Sequence, residues 1–186
     1  TDTTADGMTG QISVISREEG SGTRGAFVEL MGIVDDSDND ITTIDAEITN
    51  STSVMLTTVA GNKQSIGYVS LGSLSDDVKA VKVDGVEASV DDIKNGSYSV
   101  SRPFLVAYKD GQLSELAQDY LKYILSADGQ AIISENGYIS VSDSAEAYTA
   151  SGLSGKLVLA GSTSVSPVME KLADAYKALN PDVTIE

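Results

Sequence analysis

Two rhythms of apolar positions alternate along this chain. Ile12-Ser13-Val14-Ile15 has the period-two pattern of a strand, and a Gly/Ser turn separates it from the helix-like run Ala26-Phe27-Val28-Glu29-Leu30-Met31. That predicts a strand, a turn, and a helix from about Thr23 to Met31. The helical rhythm is clearest later, where Leu113, Leu116, Ala117, Tyr120, Leu121, Ile124 and Leu125 share one stripe. Ala127-Asp128-Gly129 is expected to break that helix, and a second one over 130–137 stops at Asn136-Gly137. Compact strands are expected at 65–71, 78–83 and 104–108, with Asp84-Gly85 as a hairpin turn, and 138–141 leads outward from the second helix. Ser89 to Gly96 reads as a short capped helix. Strands alternating with helices predict an α/β class.

The last segment repeats the opening pattern. Lys156-Leu157-Val158-Leu159-Ala160 is a strand and Gly161-Ser162-Thr163-Ser164-Val165-Ser166-Pro167 a turn. Val168 to Leu179 is an amphipathic helix with Met169, Leu172, Ala173 and Tyr176 on its apolar face, and Val183-Thr184-Ile185 is one more strand. Before it, residues 142–155 have the Ser, Asp, Ala and Gly composition of a linker. Residues 1–9 are polar and read as frayed.

Composition narrows the chemistry. Among 186 residues 41% are hydrophobic but only 5% aromatic, with no Trp, so the core rests on aliphatic side chains. No run has the length of a membrane span. Thr1 to Gly7 lacks the basic start and apolar stretch of a signal peptide, so the chain reads as a mature or trimmed product. Cysteine and histidine are both absent, which removes disulfides, thiolate metal sites and the commonest general base. A net charge of −16 excludes nucleic acid as a partner. It does not exclude a small anion, because exposed acids beyond about 8 Å are screened at physiological salt.

The stretch Ser16-Arg17-Glu18-Glu19-Gly20-Ser21-Gly22-Thr23-Arg24 carries the best candidate site. Ser21 and Thr23 offer hydroxyls, the glycines let N–H groups converge, and a helix start carries unpaired N–H donors with partial positive charge. Together these seat an oxyanion, with Arg17 adding a full charge and a forked donor. A salt bridge from Arg17 to Glu18 or Glu19 is the structural alternative, and both can hold. Gly20 to Gly25 matches G-x-G-x-x-G, but Arg17, Glu18 and Glu19 separate it from its strand, and two carboxylates beside a pyrophosphate are unfavourable. No Gly-Lys-Ser/Thr follows, so it is not a P-loop. Ser162, Thr163 and Ser164 precede a helix with Pro167 in its first turn; alone this is a cap, and paired with Ser21 to Thr23 it suggests two helix starts facing one anion. Asn50 to Ser53 reads as a cap for the helical run Val54 to Ala60, with a further anion seat as the alternative. Asp35 to Asp40 lacks the central Gly and closing Glu of a calcium loop and reads as a solvated loop. No metal or cofactor is expected, and no hydroxyl has a base beside it that would make it a nucleophile.

At these residues the chain resembles the phosphate-binding protein of bacterial ABC-type phosphate importers, in its Gram-positive form. Ser16 to Phe27 looks like that family's second-lobe phosphate loop and Ala160 to Pro167 like its first. Ser65 to Val69, Ser101-Arg102-Pro103-Phe104 and Ile133 to Ile139 carry the resemblance further. It implies a type 2 periplasmic-binding-protein-like fold of two lobes, here partial and permuted. Residues 1–72 would belong to the second lobe, 73–141 would return to the first, 142–155 would link, and 156–186 would start the first lobe. By the resemblance Arg17, Ser21, Gly22 and Thr23 bind inorganic phosphate from one lobe. Thr163, by its hydroxyl, and Ser164, by its backbone N–H, bind from the other; Glu19 steadies the arginine and Ser162 supports its loop.

The same resemblance implies an extracytoplasmic, cell-surface protein, lipid-anchored when intact, that hands phosphate to membrane permease subunits. The first-lobe loop comes last here. A turn with a further ligating Ser, and the Asp that accepts the proton of hydrogen phosphate, are not in this sequence. A junction between tandem copies and a cut, permuted half both fit that order. Lys156 to Ile185 would then fold back on its own chain, swap into a neighbouring copy, or await a complementary fragment. Weak or absent phosphate affinity is the expectation for these residues alone. The rival readings are a scaffold fragment without ligand binding and an enzyme acting on phosphate esters; the absence of His, Cys and a metal cluster argues against the enzyme.

Overall fold

The computed structural model describes residues 10–186; the N-terminal stretch read above as frayed lies outside them. The chain divides between Arg102 and Pro103 into two compact units.

The first unit is built on β1 (Ser13–Arg17), α1 (Gly22–Met31), β2 (Glu47–Thr49), α2 (Thr52–Gly61) and β3 (Ser65–Ile66), followed by a 3₁₀ turn (Leu71–Ser73) and α3 (Val90–Lys94). The three strands form a parallel sheet in the order β2-β1-β3. Parallel neighbours need a crossover, and α1 and α2 supply it. Ile15, Val28 and Met55 are buried in this unit. A Cβ on Gly67 would stand 2.4 Å from the Met55 sulfur, so the chain passes this close only without a side chain. The strand expected over 65–71 therefore shortens to two residues. The strand expected over 78–83 is reduced to one bridge, Val83 with Val86, across the Asp84-Gly85 turn. Positive φ at both turn residues (51° and 82°) is the geometry of a tight hairpin.

The second unit contains α4 (Glu115–Leu125), α5 (Ala127–Glu135), β4 (Gly155–Leu157), α6 (Ser166–Leu179) and β5 (Val183–Ile185). β4 and β5 pair in parallel around α6, giving the expected strand-helix-strand ending. Residues 156–186 fold back onto their own chain, where Leu157, Val168, Leu172, Tyr176 and Val183 share one core with Leu116, Tyr120 and Tyr123. The α4 stripe is as read from the sequence, except that Leu113 precedes the helix and Leu125 is exposed. Ala127-Asp128-Gly129 is no break: Ser126 closes α4 and, with its hydroxyl accepting from Gly129 N–H, opens α5. Gly129 is required there, since a Cβ would lie 2.3 Å from the Tyr123 carbonyl oxygen.

Two expectations in this unit change. Residues 104–108 form no strand: no backbone hydrogen bond is seen for them among the described residues, and Leu105 is 83% exposed. Apolar alternation makes a strand only where a partner satisfies its backbone. Residues 138–141 lead out of α5, and the Gln130 side chain takes the Val141 N–H (2.8 Å). And the 142–155 stretch is tied down. Tyr148 and Ser151 hydroxyls donate to one oxygen of Asp119 (2.5 and 2.8 Å), which also accepts from Tyr176 (2.7 Å). Burial pushes the Asp119 carboxyl up; the hydroxyls, Tyr148 first, outweigh it and hold it below its ordinary value.

Candidate anion-binding site

β1 ends at Arg17, and the chain leaves the C-terminal edge of the parallel sheet, where open α/β sheets bind ligands. A turn closes from Ser21 N–H to the Glu18 carbonyl (3.2 Å), with Gly20 at a φ of 82° that other residues resist. The turn delivers Ser21 as the cap of α1, its Oγ accepting from Arg24 N–H (3.4 Å). Gly22 and Thr23 then lie in the first turn, where N–H groups have no intrahelical acceptor.

Arg17 is 2% exposed. Its Nε and Nη2 donate to the two carboxylate oxygens of Glu18 (2.8 and 2.9 Å), and Nη1 reaches the Thr52 hydroxyl at 3.5 Å. The hydrogen bond from Arg17 holds the Glu18 carboxyl below its ordinary value. Glu18 thus does what was expected of Glu19, which is exposed and makes no side-chain contact among the described residues. Strand alternation would set Glu19 on the face of Arg17, but β1 ends at Arg17 and the turn closed on the Glu18 carbonyl takes the next residues out of the strand. The sequence therefore could not say which acid turns toward the arginine.

The scaffold behind the loop was only partly legible. Tyr68 Oη accepts from Arg17 N–H (3.1 Å) and shares a hydrogen bond with Ser16 Oγ (2.9 Å), while its ring stacks on Phe27 at 4.1 Å. Arg24 donates to the Arg17 carbonyl (2.9 Å) and to Asp40 (2.7 Å), and Arg102 donates to the Gly22 carbonyl (2.8 Å). Thr52 was read as part of a cap; Ser51 is the cap, and Thr52 is buried beside the guanidinium. The signal was a second hydroxyl-rich helix start after a strand parallel to the first.

The second loop is built differently. α6 starts at Val165 with no side-chain cap, and Ser162 holds the turn through its carbonyl, which accepts from Val165 and Ser166 N–H (3.0 and 3.2 Å). Ser164 is 1% exposed and its N–H points at Ser162 Oγ (3.3 Å). Thr163 is exposed. In a chain with 28 acidic residues, α3, α4 and α5 each carry Asp or Glu in the first turn, whereas α1, α2 and α6 carry none. Those three starts set no carboxylate of their own first turn against the positive end of the helix, which favours an anion there. The acidic loop near α1 spends its groups locally: Asp35 accepts from Ser37 and Asn39, and among the described residues no acidic cluster suits a metal.

Residues 2–128 match the model of the PBP superfamily domain, and the chain belongs to that superfamily, with the type 2 periplasmic-binding fold. It is 54% identical over 181 residues to phosphate-binding protein PstS 2 of Streptococcus agalactiae, covering 95% of this chain and 61% of that protein. The chain thus spans about three fifths of that relative's length. A crystal structure of the phosphate-binding protein of a Streptococcus pneumoniae phosphate ABC transporter superposes with a TM-score of 0.78 at 50% identity, over 95% of this chain and 70% of that one. A candidate phosphate ABC transporter substrate-binding protein from Clostridium perfringens, solved with bound phosphate, is 42% identical with a TM-score of 0.64, over 70% of this chain and 52% of that one.

Proposed function

We propose that this chain carries the main part of an inorganic-phosphate site in the extracytoplasmic solute-binding component of an ABC importer, which passes phosphate to membrane permease subunits. The observation that carries the reading is Arg17, buried and forked onto Glu18 beside a carboxylate-free helix start. A buried guanidinium is costly unless it is paired, and one beside the positive end of a helix suits a dehydrated oxyanion. Arg17, Ser21, Gly22 and Thr23 are the proposed ligands in the first unit, and Thr163 with the Ser164 N–H in the second. Ser162 Oγ stands where an oxygen of the anion would accept from Ser164.

The relatives' names support phosphate as the solute, and their 95% coverage of this chain favours a segment order that they share over a tandem junction. The protein is read as binding without chemistry: the chain has no His or Cys, and the Ser21 oxygen already serves as a helix cap. A lipid anchor in the intact protein belongs to the same proposal; no helix among the described residues is long and apolar enough to cross a membrane. The test is calorimetric titration of the longer protein containing this chain, with phosphate and with sulfate as control. One phosphate per protein is expected, lost in Arg17→Ala. A folded protein that gives no heat with phosphate would sink the reading. The 186 residues alone are expected to bind weakly or not at all, because the acceptor for the phosphate proton is not among them.

A further inference from the structure

The motif Ser134-Glu135-Asn136-Gly137-Tyr138 at the end of α5 has no part in the site as described so far. Its geometry gives it one. Gly137 has a φ of 80°, and two hydrogen bonds close the helix end: Gly137 N–H to the Ser134 carbonyl (3.1 Å) and Tyr138 N–H to the Ile133 carbonyl (3.1 Å). This is the left-handed stop that glycine permits after a helix, and it turns the next residue back toward the helix body. Tyr138 is consequently buried in the core of the second unit, with its ring 5.9 Å from Phe104. Its hydroxyl donates to the backbone carbonyl of Ser164 at 2.8 Å, a buried bond spanning 26 residues of sequence.

Ser164 is therefore held at both ends, its N–H by Ser162 Oγ and its carbonyl by Tyr138 Oη. α6 has no capping side chain to fix its first turn. We propose that Tyr138 is a positioning residue for the second anion loop: its hydroxyl, through the Ser164 carbonyl, sets the direction of the N–H that receives the anion. This rests on the phosphate reading for its ligand, though the tie itself does not. A buried carbonyl that loses its donor must turn or pay desolvation, and either outcome moves the adjoining peptide groups. Tyr176, through Asp119, ties the later turns of α6 to α4, whereas Tyr138, just past α5, reaches the loop itself.

Tyr138→Phe removes the hydroxyl and keeps the ring. Tyr120→Phe is the control, since Tyr120 is equally buried but its hydroxyl meets the Met169 sulfur (3.5 Å) and not the loop. In the 186-residue chain without ligand, NMR amide shifts and hydrogen exchange at Ser164 and Val165 are expected to change in Tyr138→Phe and stay unchanged in Tyr120→Phe. In the longer protein, phosphate affinity is expected to fall about 3- to 10-fold in Tyr138→Phe, the size of one neutral hydrogen bond, and to hold in the control. Unchanged Ser164 and Val165 amides overturn the tie. Moved amides with unchanged phosphate affinity, while Arg17→Ala still abolishes binding, overturn the positioning role. Intact phosphate binding in Arg17→Ala would instead defeat the phosphate reading, and the amide response alone would then decide the tie.

Discussion

The two candidate loops both follow a parallel strand and open a helix, yet they solve the problem of holding an anion by different means. The loop at 16–24 is organised around a permanent charge. Arg17 is buried and forked, and Arg24 and Arg102 clamp the carbonyls of Arg17 and Gly22. The loop at 161–166 contains no charged side chain, and its buried N–H donor is engaged by its own Ser162 hydroxyl. A site in a chain of net charge −16 needs at least one fixed cation at contact distance, and after one buried arginine is supplied, neutral donors suffice.

The surest way to break this comparison is to remove its charge. Arg17→Ala should weaken phosphate binding by roughly 100-fold or more, because two charge-assisted hydrogen bonds are lost. Arg17→Lys should recover only part of that, since an ammonium cannot fork. Calorimetry on the longer protein reads both, and a loss of less than about tenfold in Arg17→Ala would make the two loops energetically alike. Next in size is the scaffold of the second unit. Asp119→Ala leaves the Tyr148, Ser151 and Tyr176 hydroxyls without their shared acceptor and should cost about 3 kcal/mol in urea unfolding. It should also open the 142–155 segment to protease; a segment still protected in the variant would show that the three hydroxyls do not hold it.

Smaller effects sharpen the contrast. Thr163→Val should cost about 3- to 10-fold in phosphate affinity, the scale of a single neutral hydroxyl. The smallest effect concerns the clamp around the first loop. The Thr42 hydrogen bond and then Arg24 hold the Asp40 carboxyl at about 2, below its ordinary value of 3.8. A depressed value means that the stabilisation is complete above the ordinary value of 3.8 and is lost progressively as pH falls from there through about 2. Carbon-detected NMR should therefore find Asp40 titrating near 2, and partway back toward 3.8 in Arg24→Gln. No change in Arg24→Gln would remove Arg24 from the clamp.

Several parts of this molecule could be read from short-range pattern. Ser51 and Ser89 cap helices because a hydroxyl before an apolar-periodic run satisfies an otherwise open N–H. The Gly/Ser turn after β1 announced a helix start for the same reason, whereas the one after β4 opens α6 without a capping side chain. Long-range partners were not legible. Thr52 lies beside Arg17 because β1 and β2 align Arg17 with Thr49, and register is a property of the sheet. Phe104 to Tyr108 has a strand's sequence and no strand, since a ladder requires a second edge. Residues 142–155 have a linker's composition and are nonetheless fastened, since one buried carboxylate from α4 collects their hydroxyls.

By itself the sequence determined the α/β rhythm, the absence of thiol and imidazole chemistry, and the two hydroxyl-rich helix starts. Each depends on residue type and local spacing, which the linear order contains in full. Only the tertiary structure decided that Glu18, and not Glu19, grips Arg17, that Thr52 joins it, and that Tyr138 holds Ser164. Those choices depend on which way a side chain leaves its strand and on what arrives across 26 or 35 residues of sequence. Burial makes such meetings consequential, because a polar group away from water must find its partner wherever the fold brings one.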